Sequence, residues 1–333
     1  MAKPGPAFES PEPLTKRIGI AAGLAGVMLL VVVEYAPWSA TVFPADRYAP
    51  PRRTDLLIAS SEPAKVVFQA PSAAMLRDAF SRIGYDIDRV RGGEVDVPRL
   101  SLSGMPQGLE KIRDPAARKK FFLAVMLPLI LEANQTIAGK RDRLAWLAFR
   151  LKTGKPLSAA SRAWLARLAV EYRTKPDRIA ELRERVDIIP VSVALAQAAT
   201  ESGWGGSRFT LEGNALFGQW TTAGGRGLVP SDREEGMTHK VRAFNRPIDS
   251  VISYMRNLNT HRAYRKFRAL RRQLRAAGQP LDGDRLAGEL KSYSQRGSEY
   301  VEDLRKLMRA NRLAPLDPAL LNDSVPGGGI KPS

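Results

Sequence analysis

The stretch "ALAQAATESGWGGSRF", residues 194–209, constrains the fold more than any other part of the chain. Its alanines favour helix and let neighbouring elements approach closely, and Pro190 suits a first helical turn. The glycines at 203, 205 and 206 then stop the helix. Glu201 falls in the last turn, where the helix macrodipole is negative and an ionised carboxylate is disfavoured. Stability alone favours Lys or Arg at that position. A glutamate there favours a carboxyl that holds its proton near neutral pH.

Composition narrows the available chemistry. The 333 residues include no cysteine, which removes disulfides, thiolate nucleophiles and cysteine-based metal sites. The two histidines, His239 and His261, are not in a metal-ligand spacing, and neither a G-x-S-x-G elbow nor a phosphate-binding glycine loop occurs. Carboxylates, tyrosines and hydroxyls must do the work, and no metal or organic cofactor is expected. Lys and Arg total 52 against 34 Asp and Glu, a net charge of +18, which suits an anionic partner unless the cations simply face solvent. In "HRAYRKFRALRRQLRA", residues 261–276, Tyr264, Phe267, Leu270 and Leu274 share one helical face with arginines around the rest. That helix is the expected place for anionic glycan or lipid to bind, a solvated face being the other reading.

Residues 18–33, "IGIAAGLAGVMLLVVV", are uncharged and follow Lys16-Arg17. At about 1.5 Å per residue they span roughly 24 Å, and Tyr35, Ala36 and Trp38 extend the stretch toward the thickness of a bilayer. No small-residue cleavage site follows, because Trp38 occupies the −3 position of the nearest candidate at Ala40, so an uncleaved anchor is expected over a signal peptide. Lys3, Lys16 and Arg17 put the N-terminus in the cytoplasm and the bulk of the chain outside it. Nucleic acid is then a poor partner.

The expected order is a cytoplasmic tail at 1–15, a transmembrane anchor at 16–38 and a Pro-rich linker at 39–65. An N-terminal, mostly helical region at 66–157 opens with one or two short strands before 113, then a helix from Asp114-Pro115 interrupted at Pro128. A catalytic domain at 158–313 follows, with helices near 158–173, 176–185, 190–202, 247–276 and 283–312, and a β-hairpin within 211–246. Residues 314–333 are expected to be a disordered tail. The fold class is mainly α, with a small β component.

Glu201 is the first candidate for chemistry. Trp204, Asn214, Phe217 and Trp220 lie close downstream, and aromatic faces plus amides are what a sugar cleft needs. Each also has an ordinary reading as core or turn. A glycosidase usually needs a second carboxylate, and the hairpin offers Asp232, Glu234 and Glu235, of which Glu235, beside Gly236, is chosen by position.

The segments "ALAQAATESGWGGSRFTLEGNALFGQW", "SVISYMRNLNTHRAYRKFRALR" and "YSQRGSEYVEDLRKLMRANRL" resemble the bacterial Bax protein family, which belongs with the glucosaminidases of glycoside hydrolase family 73. The resemblance runs from about residue 66 to 313. It implies a lysozyme-like fold with a groove between helices and a β-hairpin. It also implies that Glu201 matches the general acid and Tyr293 the tyrosine lining the groove beside it, while the second carboxylate, Glu235 or Glu234, aligns loosely. Wider members read Y-A-T-D where this chain reads Y-S-Q-R, so only the tyrosine transfers. The implied protein is a membrane-anchored, extracytoplasmic endo-β-N-acetylglucosaminidase acting on the glycan strands of peptidoglycan. A lytic transglycosylase and a non-catalytic wall-binding scaffold are the two rival readings.

Overall fold

The computed structural model describes residues 66–68, 71–221, 226–230 and 240–322. The expected cytoplasmic tail, transmembrane anchor and linker lie outside these residues, as do Asp232, Glu234 and Glu235.

The chain enters through β1 (Val66–Phe68), α1 (Ala73–Arg82), α2 (Ile87–Arg91) and β2 (Leu100–Leu102), with β1 and β2 paired in parallel, Val66 opposite Leu100. α3 (Pro115–Lys152) follows. It starts where the sequence places it: the Asp114 carboxylate accepts from the Ala116 and Ala117 amides at 3.2 and 3.0 Å, and Pro115 needs no donor in the first turn. The expected interruption at Pro128 does not occur. Proline deprives the Ala124 carbonyl of its helical partner, and the Tyr85 hydroxyl donates to that carbonyl at 3.0 Å instead. Tyr85→Phe is expected to leave this buried acceptor orphaned and cost about 1–3 kcal/mol, read as a lower urea midpoint at unchanged m-value. By length and composition α3 is apolar enough to cross a membrane, but most of that window is covered by the rest of the fold. It is a core helix.

The remaining helices are α4 (Ala159–Glu171), α5 (Ile179–Arg185), α6 (Val191–Ser202), α7 (Arg208–Gly213), α8 (Pro247–Thr260), α9 (Arg265–Ala276), α10 (Gly283–Ala287) and α11 (Ser298–Ala310). α6 lies at the centre, in contact with α3, α10 and α11, and α3 also packs on α8. Among the described residues a single apolar cluster runs from Ala73 to Leu316. The expected hairpin is a three-stranded antiparallel sheet, β3 (Trp220–Thr221), β4 (Gly227–Leu228) and β5 (Lys240–Arg242), with β5 in the middle. β4 lies so close to β5 that a Cβ on Gly227 would sit 2.8 Å from the Val241 carbonyl oxygen. The tail expected to be disordered from 314 is folded through Asn322: Leu316 is fully buried, and the Asn322 amide donates to the Val97 carbonyl at 2.7 Å.

Two features aim α6. Its N-terminus lacks a local cap, and the Asp317 carboxylate supplies one from the far end of the chain, accepting from the Ser192 amide and hydroxyl at 2.8 and 2.9 Å. The stretch that leads into it, from the last turn of α5 to Ile189, presents backbone carbonyls that side chains bind. Asn134 bonds both the amide and the carbonyl of Ile189, Asn259 donates to the Asp187 carbonyl, and Arg141 donates to the carbonyls of Arg183 and Val186. Arg271, fully buried, donates to the carbonyls of Glu184, Asp187 and Ile188. Arg268, also buried, donates to the carbonyls of Leu258 and His261 and so closes the end of α8. These contacts correct the reading of 261–276 as one binding face. The helix breaks at His261, and Arg268 and Arg271 point into the protein, where orphaned carbonyls replace the anionic ligand.

Candidate active site

α6 places its final carboxylate through tight packing and an enforced stop. Ala194, Ala196, Ala198 and Ala199 are all buried, so partner helices lie close against its backbone. Gly203 takes φ 58°, which glycine adopts without strain, and the Trp204 amide bonds back to the Ala199 carbonyl at 2.9 Å. The Ser202 hydroxyl donates to the Ala198 carbonyl at 2.6 Å and accepts from the Gly205 amide at 2.9 Å, tying the last helical turn to the loop that leaves it. Trp204 itself has φ 58°, unusual for a bulky residue. Its ring packs edge-on against Phe122 of α3, with the Lys119 ammonium 5.2 Å from its centroid. At Gly205 the φ of 77° and the side chains of Phe122 and Leu109, 3.0–3.1 Å from where a Cβ would stand, leave room for glycine alone.

Glu201 is half-buried, and its carboxyl sits at the end of a directed hydrogen-bond chain. The Tyr300 hydroxyl donates to Glu201 Oε1 at 2.9 Å. Tyr300 therefore accepts from Gln197 Nε2, at 2.9 Å, and Gln197 Oε1 accepts from the Tyr254 hydroxyl at 2.7 Å. Burial pushes the Glu201 carboxyl up to about 7, and the Tyr300 hydrogen bond pulls the other way. Burial, then the nearby Glu201, pushes the Tyr300 phenol well above its ordinary value, so it remains a neutral donor. The carboxyl can hold a proton near neutrality, and the one hydrogen-bond partner it has among the described residues, Tyr300, is neutral.

The sequence-based candidates fall into four groups. Glu201, Trp204 and Trp220 are partly exposed, Trp220 at the start of β3 opposite Val241. Asn214 and Phe217 are corrections. Asn214 is a buried cross-link whose amide donates to the carbonyls of Phe244 and Asn245 and whose oxygen accepts from the Met105 amide, which leaves no group for a sugar. Phe217 is 1% exposed and stacks on Tyr254 with ring centroids 3.9 Å apart. Tyr293 is buried beside the acid but does not bond it: its hydroxyl donates to the Phe217 carbonyl at 3.3 Å while its ring stacks on Tyr300. The tyrosine on Glu201 is Tyr300. Glu235 lies outside the described residues.

Sequence reasoning missed Gln197, Tyr254 and Tyr300. Gln197 had a local signal, since it precedes Glu201 by one helical turn and so shares its face. The tyrosines arrive from α8 and α11, and only the fold brings them together.

A carboxyl that holds its proton near neutrality at the end of a buried helix is suited to act as a general acid, and the comparisons with known proteins give the class, a glycan hydrolase. Residues 177–313 match the family model Glucosaminidase, described as mannosyl-glycoprotein endo-beta-N-acetylglucosaminidase. Over 216 residues, 63% of this chain, it is 35% identical to Protein bax of Escherichia coli (strain K12), covering 75% of that protein. The chain belongs to this Bax-like family, related to the family 73 glucosaminidases. No solved structure matches it. The family model begins after α3, yet α3 supplies Phe122 beneath Trp204.

Proposed function

We propose that the protein is an endo-β-N-acetylglucosaminidase that hydrolyses the glycan strands of peptidoglycan, with Glu201 as general acid. The observation that carries this reading is the Glu201 carboxyl, pushed by burial to about 7 and oriented by Tyr300. Glu201 gives its proton to the leaving glycosidic oxygen as the bond to the anomeric carbon breaks. Glu235 or Glu234, or the 2-acetamido group of the substrate, then supports the developing positive charge, and water completes hydrolysis. Trp204 and Trp220 offer the partly exposed aromatic faces on which sugar rings stack. We further place this domain, with residues 158–313 as its catalytic part, outside the cytoplasm on an anchor at 16–38.

Digestion of purified peptidoglycan followed by mass spectrometry tests the activity. Fragments ending in reducing N-acetylglucosamine support it. Anhydro-sugar ends establish the transglycosylase instead, and undigested glycan that still binds the protein establishes the scaffold.

The pH dependence tests the role of the acid. kcat/KM is expected to fall as pH rises through about 7, as Glu201 loses its proton. Tyr300→Phe removes a hydrogen bond that favours the ionised form. The alkaline limb of this variant should move to higher pH, whereas a purely structural loss lowers activity at every pH alike.

A further inference from the structure

We propose that the tip of the α3–α4 hairpin docks on an anionic lipid bilayer. Between Arg143 and Val170 the chain carries Arg143, Arg150, Lys152, Lys155, Arg162 and Arg167 and no Asp or Glu, although it has 34 acidic residues in all. α3 and α4 run side by side in opposite directions: Lys140 pairs with Glu171 at 2.7 Å, and the Arg143 guanidinium lies 4.4 Å from the centroid of the Trp164 ring. The end of α3 and the connection after it are exposed at every residue from Leu151 to Pro156. Phe149 and Leu151, 61% and 44% exposed, sit at this end among Arg150, Lys152 and Lys155. The Arg150 guanidinium lies 5.1 Å from the centroid of the half-buried Trp146.

Cations alone would suit any polyanion. Exposed Phe149 and Leu151 at the end of a helix, interspersed with Arg150, Lys152 and Lys155 and following Trp146, suit the headgroup region of an anionic bilayer: the apolar side chains enter the acyl boundary while the cations meet lipid phosphates. A soluble glycan or peptide polyanion has no use for the apolar tips. The geometry is also directional. Phe122, beneath Trp204, precedes Phe149 by 27 positions on the same helix, or about 40 Å along its axis. Docking at the tip sets the Glu201 end of the protein that far from the lipid. This inference is independent of the glucosaminidase reading.

Hydrogen exchange of the full chain in nanodiscs tests it. Amides at 149–157 are expected to exchange at least about tenfold more slowly in discs of mixed phosphatidylglycerol and phosphatidylcholine than in phosphatidylcholine discs, with the difference shrinking as salt rises. An N-terminal anchor contributes equally in both discs. The double variant Phe149→Glu/Leu151→Glu changes only exposed side chains and should lose the protection while keeping the wild-type melting curve. Lys152→Gln/Lys155→Gln should lose part of it. Equal exchange in the two discs overturns the proposal, as does protection by soluble peptidoglycan fragments with none from the anionic discs.

Discussion

Glu201→Gln is expected to abolish glycan cleavage and at the same time make the protein more stable. A positioned general acid contributes about 10²–10⁴-fold in rate, and no other side chain is proposed to protonate the leaving oxygen. The amide keeps an oxygen for the Tyr300 hydroxyl, so the chain from Tyr254 through Gln197 survives. The stability gain follows from linkage. In the folded protein the carboxyl holds its proton up to about 7, and in the unfolded chain only to the ordinary value of 4.5. Between these two values the folded state binds more protons, so wild-type stability falls as pH rises, and then levels off. At about 1.36 kcal/mol per unit the loss approaches roughly 3 kcal/mol above neutrality. The amide variant escapes that loss. Its advantage in urea unfolding should be near zero at pH 4 and largest at pH 8. Wild-type digestion by this variant sinks the mechanism, and a stability difference that ignores pH sinks the assignment of the proton.

What the sequence disclosed was whatever is encoded locally. The end of α6 is written in consecutive residues: alanines, Glu201, Ser202 and the glycine at 203 carry both the helix and its stop. The start of α3 is equally local, in Asp114-Pro115. The failures share a cause. At Pro128 propensity argued for a break, and Tyr85, from well before the helix, supplied the missing hydrogen bond. In α9 the amphipathic pattern put the arginines on a polar face, and the polar groups facing Arg271 proved to be backbone carbonyls of 184–188. Asn214 and Phe217 have residue types suited to a cleft, but their surroundings, Met105, Phe244 and Tyr254, are set by packing. At the site, one turn of helix separates Gln197 from Glu201, which periodicity reveals. Tyr300 lies 99 residues from Glu201, and no periodicity spans that.

Asp187→Leu is expected to be the most destabilising single change in the scaffold, by about 3–5 kcal/mol in urea unfolding at neutral pH. Asp187 is 2% exposed, and its carboxylate meets Arg275 at 2.9 Å, Arg141 at 3.4 Å and Arg271 at 3.6 Å. Burial alone raises its pKa, but Arg271, Arg141 and Arg275 together pull it below the ordinary value. It therefore stabilises the fold above the ordinary aspartate range and loses that contribution only as pH falls through the lowered value. Its removal leaves Arg271, which has no exposure, without a counter-charge. The pair Asp187→Leu/Arg271→Met distinguishes two accounts of the cluster. Were it an ion pair alone, replacing both partners by apolar groups would recover most of the loss. Arg271 also donates to the carbonyls of Glu184, Asp187 and Ile188, and methionine cannot. Those acceptors belong to the segment that leads directly into α6, so the double variant should stay destabilised and, by loosening the entry to the helix that carries Glu201, should lose activity as well. Full recovery of stability in the double variant would show that the arginine serves the aspartate and not the backbone.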